Sequence, residues 1–483
     1  MSVSRRTALA AAFSIVPRHV LGGAPYVAPS DKVTLAFVGT GTQGIRVMLE
    51  FLPLPDVQAV AVCDVNSGSS DYLQYGTNEL RNRVRKLIPN ARWGYESEDS
   101  NHASSGCEPA RQAIELFYAQ QNRAGQHHGC AVFADYRELL AQRKDIDGIV
   151  VGTPDHSHAV ISIAAMRAGK HVFCQKPMAH SVLEARKMAE VARQTGVATE
   201  VAIWNSASDA TRVLAEWIQA GAIGQVRQVH NWTNRPSWPQ GIERPAEAQP
   251  VPPYLNWDLW LGPAPFRPYH RAYQPWVFRG WYDFGTGSAG DMGCYSFDPI
   301  FRALKLKAPD GIEASSTRLF PESFPQASIV HYSFPARDGM PPVKVSWYDA
   351  GLKPPRPEGL PDNEKLAPEG MHLLGEKGAL LCDFYGAKPR LLPESRLKSF
   401  TPPPPTLPRV AGGYEAEWIA ACTGGQRADA NFEFTSSVTE TLLLGNVAIR
   451  SGEKLNWDRE RVRTGSASAD QLLHSPCREG WSL

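Results

Sequence analysis

The chain has 483 residues, 43% of them hydrophobic and 20% charged, with a net charge of +1. That length allows two or three domains and a large core. The near-neutral balance, without a long basic run, argues against nucleic acid as a partner.

The first 24 residues stand apart. Arg5-Arg6 precede a short apolar run, Ala8 to Val16, then Pro17 and Gly22-Gly23-Ala24. The run is too short to span a bilayer, which takes about 20 residues. It reads as an export signal of twin-arginine type, a periplasmic or exported address. Residues 1–30 are therefore set outside the fold.

Residues 33–38, Val-Thr-Leu-Ala-Phe-Val, have strand composition and end at Gly39. Gly39, Gly41 and Gly44 form GxGxxG, with Thr40, Thr42 and Gln43 between them. A helical pattern follows, and a second apolar run, Val57–Cys63, ends at Asp64. A dinucleotide site needs these residues in this order. Gly39 permits the tight turn, Gly41 lets backbone approach a pyrophosphate, and Gly44 lets the helix pack closely. The pyrophosphate sits on free N–H groups at the helix N-terminus. Asp64, about 20 residues on, bonds a ribose 2′-hydroxyl and repels a 2′-phosphate, so NAD is expected over NADP.

A polar segment of about 66–130 reads as an insertion carrying one strong helix, 108–121. Its His102, Cys107, His127, His128 and Cys130 fit no metal-site spacing, and none of the eight cysteines forms CxxC; no metal is expected. Strands then alternate with helices: strands at 131–133, 146–151, 171–174 and 197–203, and helices at 136–142, 156–167 and 181–194. This is the pattern of a doubly wound parallel sheet, whose ligand lies beyond the carboxyl ends of the strands. Two loops emerge there, Thr153-Pro154-Asp155-His156-Ser157-His158 and Gln175-Lys176-Pro177. A lysine at that edge, after an apolar strand and before a stiffening proline, is a candidate catalytic group.

From about residue 205 the character changes. A helix at 208–221 leads to strands at 226–232, 328–334, 343–348, 370–374 and 379–384. Several alternate apolar and polar, as in an antiparallel sheet with one covered face. A Pro- and Trp-rich connection, 235–282, precedes Gly290-Asp291-Met292-Gly293-Cys294-Tyr295. Asp291 and Tyr295 are four apart and share a helix face; Asp291 is expected in the first turn, where the dipole favours an anion. Arg279 and Trp281 are candidates to hold a sugar by hydrogen bonds and stacking. The expected architecture is α/β: a Rossmann domain over 31–204 and an α+β domain over 205–483 with an open, largely antiparallel sheet. The outer face of that sheet is a candidate for building a homo-oligomer.

The strand–GTGTQG–helix, the strand ending in Asp64, the loop Thr153–His158, the run from Gly169 through Gln175-Lys176-Pro177, and Gly290-Asp-Met-Gly resemble the Gfo/Idh/MocA family. The likeness covers roughly 31–475. These are NAD(P)-dependent sugar and inositol dehydrogenases and their relatives, and the leader and Trp/Pro-rich segment look like its exported branch. The resemblance makes Lys176 the lysine of the family's Glu-Lys-Pro motif and puts Asp291 and Tyr295 at its Asp and His positions. It makes Thr153, Pro154 and His156 cofactor contacts. Two departures stand out. Gln175 replaces the usual Glu, and Tyr295 stands where most relatives have His, although glucose–fructose oxidoreductases use Tyr there.

The resemblance implies hydride transfer between a sugar or cyclitol carbinol and nicotinamide, with Tyr295 as acid/base and Lys176 polarising the substrate oxygen. Asp291 orients the sugar. Bringing a phenol from a pKa of about 10 to about 7 takes roughly 4 kcal/mol, and one ammonium about 4 Å away supplies roughly that much. Two other readings fit the same motifs. One is a glycosidase that uses tightly bound NAD in a transient oxidation–elimination–hydration–reduction cycle. The other is a non-catalytic sugar-binding protein that retains NAD.

Overall fold

The computed structural model describes residues 28–89, 92–94, 101–121, 125–398 and 400–483. The arginine pair and apolar run of the leader lie outside the described residues.

Strand β1 (Val33–Val38) runs into the glycine turn and helix α1 (Thr42–Phe51), and β2 (Val57–Cys63) returns beside β1. β3 (Ser69–Leu73), α2 (Glu79–Leu87) and β4 (His102–Ser105) follow, then α3 (Cys107–Gln121), β5 (Ala131–Phe133), α4 (Tyr136–Gln142), β6 (Gly148–Val151), α5 (His158–Arg167), β7 (His171–Cys174), α6 (Val182–Thr195) and β8 (Thr199–Val201). Six strands form one parallel sheet in the order β5-β2-β1-β6-β7-β8. Helices cover both faces, which is why strands such as Gly148–Val151 are apolar throughout and fully buried. Helix starts follow ordinary capping chemistry: Ser181 and Glu184 form a reciprocal capping box on α6.

The segment of about 66–130 is not one insertion. α3 is the crossover from β2 to β5, and its Tyr118 hydroxyl accepts a hydrogen bond from Ala59 of β2 at 2.9 Å. The added part lies before α3. It is the two-stranded antiparallel sheet β3–β4 with α2 between them, and it folds back over the glycine turn.

After α7 (Asp209–Gln219) comes the second sheet, eight strands in the order β15-β14-β13-β9-β12-β11-β10-β16. They are β9 (Val226–Trp232), β10 (Gly311–Ser316), β11 (Ser328–Phe334), β12 (Val343–Tyr348), β13 (Gly370–Gly375), β14 (Gly378–Cys382), β15 (Arg390–Leu392) and β16 (Leu455–Asn456). The β9–β12 pairing is parallel and the others are antiparallel. Between β9 and β10 lie the short α8 (Trp257–Leu261) and the long α9 (Gly287–Leu304). α9 lies on this sheet, with Phe297 packed edge-on to Tyr332 and Trp347.

The remaining helices are α10 (Gly413–Cys422), α11 (Phe432–Ser451) and α12 (Ala467–Gln471). Trp418 of α10 is wholly buried between Phe51 and Phe173. Residues beyond 205 thus return to complete the core of the parallel sheet, so the boundary in sequence is not one in space. Among the described residues, no helix is long and apolar enough to cross a membrane.

Candidate active site

A cavity of about 550 Å³ opens along the carboxyl edge of the parallel sheet, within the size range of small-molecule sites. At one end its wall is the glycine turn. Gly39 has φ +87°, and a Cβ there would lie 2.5 Å from the Thr153 nitrogen. A Cβ on Gly44 would lie 1.9 Å from the Gly39 carbonyl oxygen. No side chain caps α1, so its leading N–H groups, at Thr42 and Gln43 on the cavity wall, are available to an anion. Tyr72 of β3 lies so close over Gly41 that a Cβ there would meet its ring at 2.9 Å.

Asp64 also lines this end. Its carboxylate accepts from the backbone N–H of Thr40 at 2.5 Å and of Asn66 at 2.8 Å. Burial nevertheless raises its pKa, against those donors. Thr40 is fully buried and does not reach the cavity wall; its part is to hold Asp64. Gly44 is likewise off the wall, where its bareness serves the packing of α1 on the turn.

At the other end stand Lys176, after β7, and Asp291 and Tyr295 of α9. The Lys176 ammonium donates to Asp291 Oδ1 at 2.7 Å and to the Asp291 carbonyl at 3.1 Å. It lies 5.3 Å from the centre of the Tyr295 ring. Arg279 Nε donates to the same Asp291 oxygen at 2.9 Å. Burial pulls the Asp291 carboxyl up, but the two cations outweigh it and hold its pKa at about 2. Burial pulls Lys176 down, and Asp291 more than reverses that, so its pKa stands above the ordinary lysine value.

Three expectations change here. First, the Tyr295 phenol is raised, not lowered: burial outweighs the pull of Lys176. One free ammonium would lower a phenol, but here burial opposes it and Asp291 already engages that ammonium. Second, Asp291 lies in the second turn of α9, not the first, because the helix begins at Gly287; two ion pairs, not the dipole, keep it charged. Third, Trp281 is 1% exposed, donates from Nε1 to the Ala272 carbonyl at 2.7 Å and packs on Tyr273. It is core and offers no face to a sugar.

His156 is also off the cavity wall. It is 2% exposed, with Nε2 at 3.0 Å from the Trp260 carbonyl and Nδ1 at 3.3 Å from that of Phe284. It fastens the 153–158 loop to the second domain and makes no wall for a cofactor. Thr153 and Pro154 do line the cavity, as does Arg279.

Three buried polar atoms on the cavity wall have no partner within the protein: Thr153 Oγ1, Gln175 Nε2 and Gln274 Oε1. Buried polar groups are ordinarily satisfied, so these three leave hydrogen-bonding capacity unused beside the cavity. With the glycine cradle, they fit a dinucleotide. Among the described residues, no group of three or more His, Cys, Asp or Glu side chains is arranged to hold a metal ion.

Sequence reasoning passed over Trp204 and Tyr385. Trp204 is 45% exposed on the cavity wall, with its ring 4.9 Å from that of Tyr385, which in turn is 5.8 Å from Tyr295. A signal for Trp204 existed: it follows β8 at the same sheet edge that singled out Lys176. Tyr385, after β14 in the second domain, had none.

Two family models match. The oxidoreductase-family NAD-binding Rossmann fold of the Gfo/Idh/MocA type covers residues 98–203, and the oxidoreductase-family C-terminal alpha/beta domain covers 220–320. Similar curated proteins include a dTDP-3,4-didehydro-2,6-dideoxy-alpha-D-glucose 3-reductase of Streptomyces violaceoruber, 32% identical over 30% of this chain and 39% of its own length. Another is the levoglucosan dehydrogenase of Pseudarthrobacter phenanthrenivorans, 31% identical over 22% of this chain and 28% of its own. The chain thus matches less than half the length of either relative. Among solved structures, the WlbA dehydrogenase from Bordetella pertussis in complex with NADH and UDP-GlcNAcA shares the fold, with a TM-score of 0.54 at 14% identity over 88% of this chain and 99% of that one.

Proposed function

We propose that this chain is an oxidoreductase of the Gfo/Idh/MocA type, a reading supported by the family matches over residues 98–203 and 220–320, and that it uses NAD to move a hydride between nicotinamide and a carbinol carbon of a sugar or cyclitol. The observation that carries the reading is convergence. Lys176, Asp291 and Tyr295, from two domains, meet in the cavity whose other end is the glycine cradle.

Bound NAD supplies the hydride acceptor or donor, held by the α1 N-terminus, Asp64 and Thr153. The protein supplies position and protons. Asp291, anchored by Lys176 and Arg279, fixes the lysine so that its one remaining ammonium hydrogen meets a substrate oxygen. Tyr295 and Lys176 both carry protons at neutral pH, so the resting site is a pair of donors suited to a carbonyl oxygen. Reduction of a keto-sugar uses that state directly, and oxidation of a carbinol requires the phenol to shed its proton first. Trp204 and Tyr385 offer aromatic faces of the kind that pack on sugar rings.

Export through the twin-arginine route belongs to this proposal, supported by Arg5-Arg6 and the apolar run behind them. So does assembly of a homo-oligomer through the outer face of the eight-stranded sheet.

The test is to purify the protein, identify any copurifying dinucleotide, and follow NADH formation or consumption across sugars, keto-sugars and glycosides. Stoichiometric redox with one carbohydrate supports the proposal; glycoside cleavage without net NADH, or binding without redox, replaces it. Tyr295→Phe is expected to lower turnover by about 10²–10⁴-fold while NAD binding persists. Near-normal turnover in that variant removes Tyr295 from the chemistry.

A further inference from the structure

The dinucleotide reading fixes which end of the cavity receives which half of the cofactor. Lys176 marks the nicotinamide end and Asp64 the adenosine ribose. Beyond Asp64 the wall is made by Ala134, Asp135 and Tyr136 and, beside them, by a residue far away in sequence, Trp481, whose ring centre is 6.2 Å from that of Tyr136.

Trp481 is half-buried, and its place is fixed from both sides. The Arg137 guanidinium lies 4.5 Å from the centre of its ring, and Arg137 NH1 donates to the Gly480 carbonyl at 3.4 Å. Arg137 is itself paired with Asp135 at 2.6 Å. On the other side Arg478 ties the segment to α8: its Nε donates to the Gly262 carbonyl at 2.6 Å and its NH1 to the Asp258 carboxylate at 2.6 Å. Its backbone N–H donates to the Pro263 carbonyl at 3.0 Å.

We propose that Trp481 forms the outer wall of the adenine subsite, and that the segment 475–483 latches the adenosine half of the dinucleotide from the side of the second domain. The inference rests on the NAD reading above and adds to it. A flat π-faced base against an indole gains about 1–3 kcal/mol from stacking. Because Arg478 joins the latch to α8 and Arg137 joins it to α4, the base is gripped by both domains and leaves only when the segment moves.

The test measures NAD and ADP-ribose binding by calorimetry on the nucleotide-free full-length protein. Trp481→Leu fills space without an aromatic face, and it is expected to weaken both ligands by the same factor, about tenfold, which is about 1.4 kcal/mol. Trp481→Phe keeps a ring and is expected to stay near the wild-type affinity. Unchanged binding in Trp481→Leu overturns the inference while leaving the NAD reading intact, as does a loss seen with NAD but not with ADP-ribose. A wild-type protein that binds neither ligand overturns both. Should Trp481→Leu not fold, Arg478→Ala releases the anchor outside the cavity: weakened ADP-ribose binding supports the latch and unchanged binding sinks it.

Discussion

The two ends of the cavity are built from different materials. The glycine end is backbone: a turn at φ +87°, a helix start without a side-chain cap, and close approaches that leave no room for a Cβ. The lysine end is side-chain charge: two cations on one carboxylate, buried among aromatic rings. Backbone shape is stiff, indifferent to pH and written in local sequence. A buried ion cluster depends on partners more than a hundred residues apart, and every member must be present for any to be tolerated. The two ends should therefore fail differently.

The largest effect is expected at the backbone end. Gly44→Ala places a methyl 1.9 Å from the Gly39 oxygen, where neither group can yield without opening the turn. A loss of about 4 kcal/mol or more in denaturant unfolding is expected, together with loss of NAD binding by calorimetry. A variant as stable and as tight-binding as the wild type would mean that the turn is softer than its geometry requires. Next comes Asp291→Ala. It leaves Lys176 and Arg279 buried without their shared anion, and breaking such a pair from one side costs about 3–5 kcal/mol. Asp291→Asn is expected to recover part of the packing but not the charge. If both variants unfold at the wild-type midpoint, the cluster is not the keystone of that end.

The legibility of the chain follows the same division. The parallel sheet could be read because strands covered on both faces are mostly apolar runs, Gly148–Val151 the clearest, that alternate with helical patterns. The second sheet is legible in its more apolar strands, and β10, Gly-Ile-Glu-Ala-Ser-Ser, escapes the pattern because half of its side chains face outward. The two-stranded β3–β4 sheet was illegible for a related reason: Ser-Ser-Asp-Tyr-Leu carries no apolar face until Tyr72 meets Gly41. At the site, position on the sheet edge found Lys176 and helical spacing paired Asp291 with Tyr295. The bond from Arg279 to Asp291 spans the turn before α9, and no periodicity announces it. Trp281 was misassigned because an indole in sequence does not say whether it faces a ligand or the core.

A smaller effect separates two neighbours that fasten the 153–158 loop. His156 is buried among carbonyls and close to His180, and burial holds its pKa down at about 4. His158 has both ring nitrogens on carbonyl oxygens, Pro177 at 2.7 Å and Thr153 at 2.9 Å. Burial opposes its charge, but the Cys174 sulfur, Asp155 and the Pro177 carbonyl outweigh that and bring it to about 9. Linkage gives opposite signs. His156 takes up its proton more readily when unfolded, so its contribution is complete above about 6.5 and is lost as pH falls toward 4. His158 holds its proton more tightly when folded, so its contribution is complete below about 6.5 and is lost as pH rises through 9. Unfolding followed from pH 4 to 9 is expected to show a shallower acid limb in His156→Gln, His180 supplying part of the rest, and a shallower alkaline limb in His158→Gln, Glu184 supplying part of the rest. Identical profiles for all three proteins would remove the loop from the pH response.

The finest probe sits where the two ends meet, at Gln175, in the position where the family that the sequence resembles usually carries Glu. Its amide nitrogen is buried on the cavity wall with no partner in the protein, and leaving a donor so costs about 1–3 kcal/mol. That expense is recovered if the amide donates to the bound dinucleotide. Gln175→Glu changes almost no volume, removes both donors and sets a carboxyl beside the lysine. If the amide is a cofactor ligand, NAD affinity should fall by about five- to tenfold, the worth of one hydrogen bond. Equal NAD affinity would show that the amide serves the lysine end alone. The departure from the family residue would then reflect relief of a buried charge next to Asp291, where a second carboxylate would compete for the same ammonium.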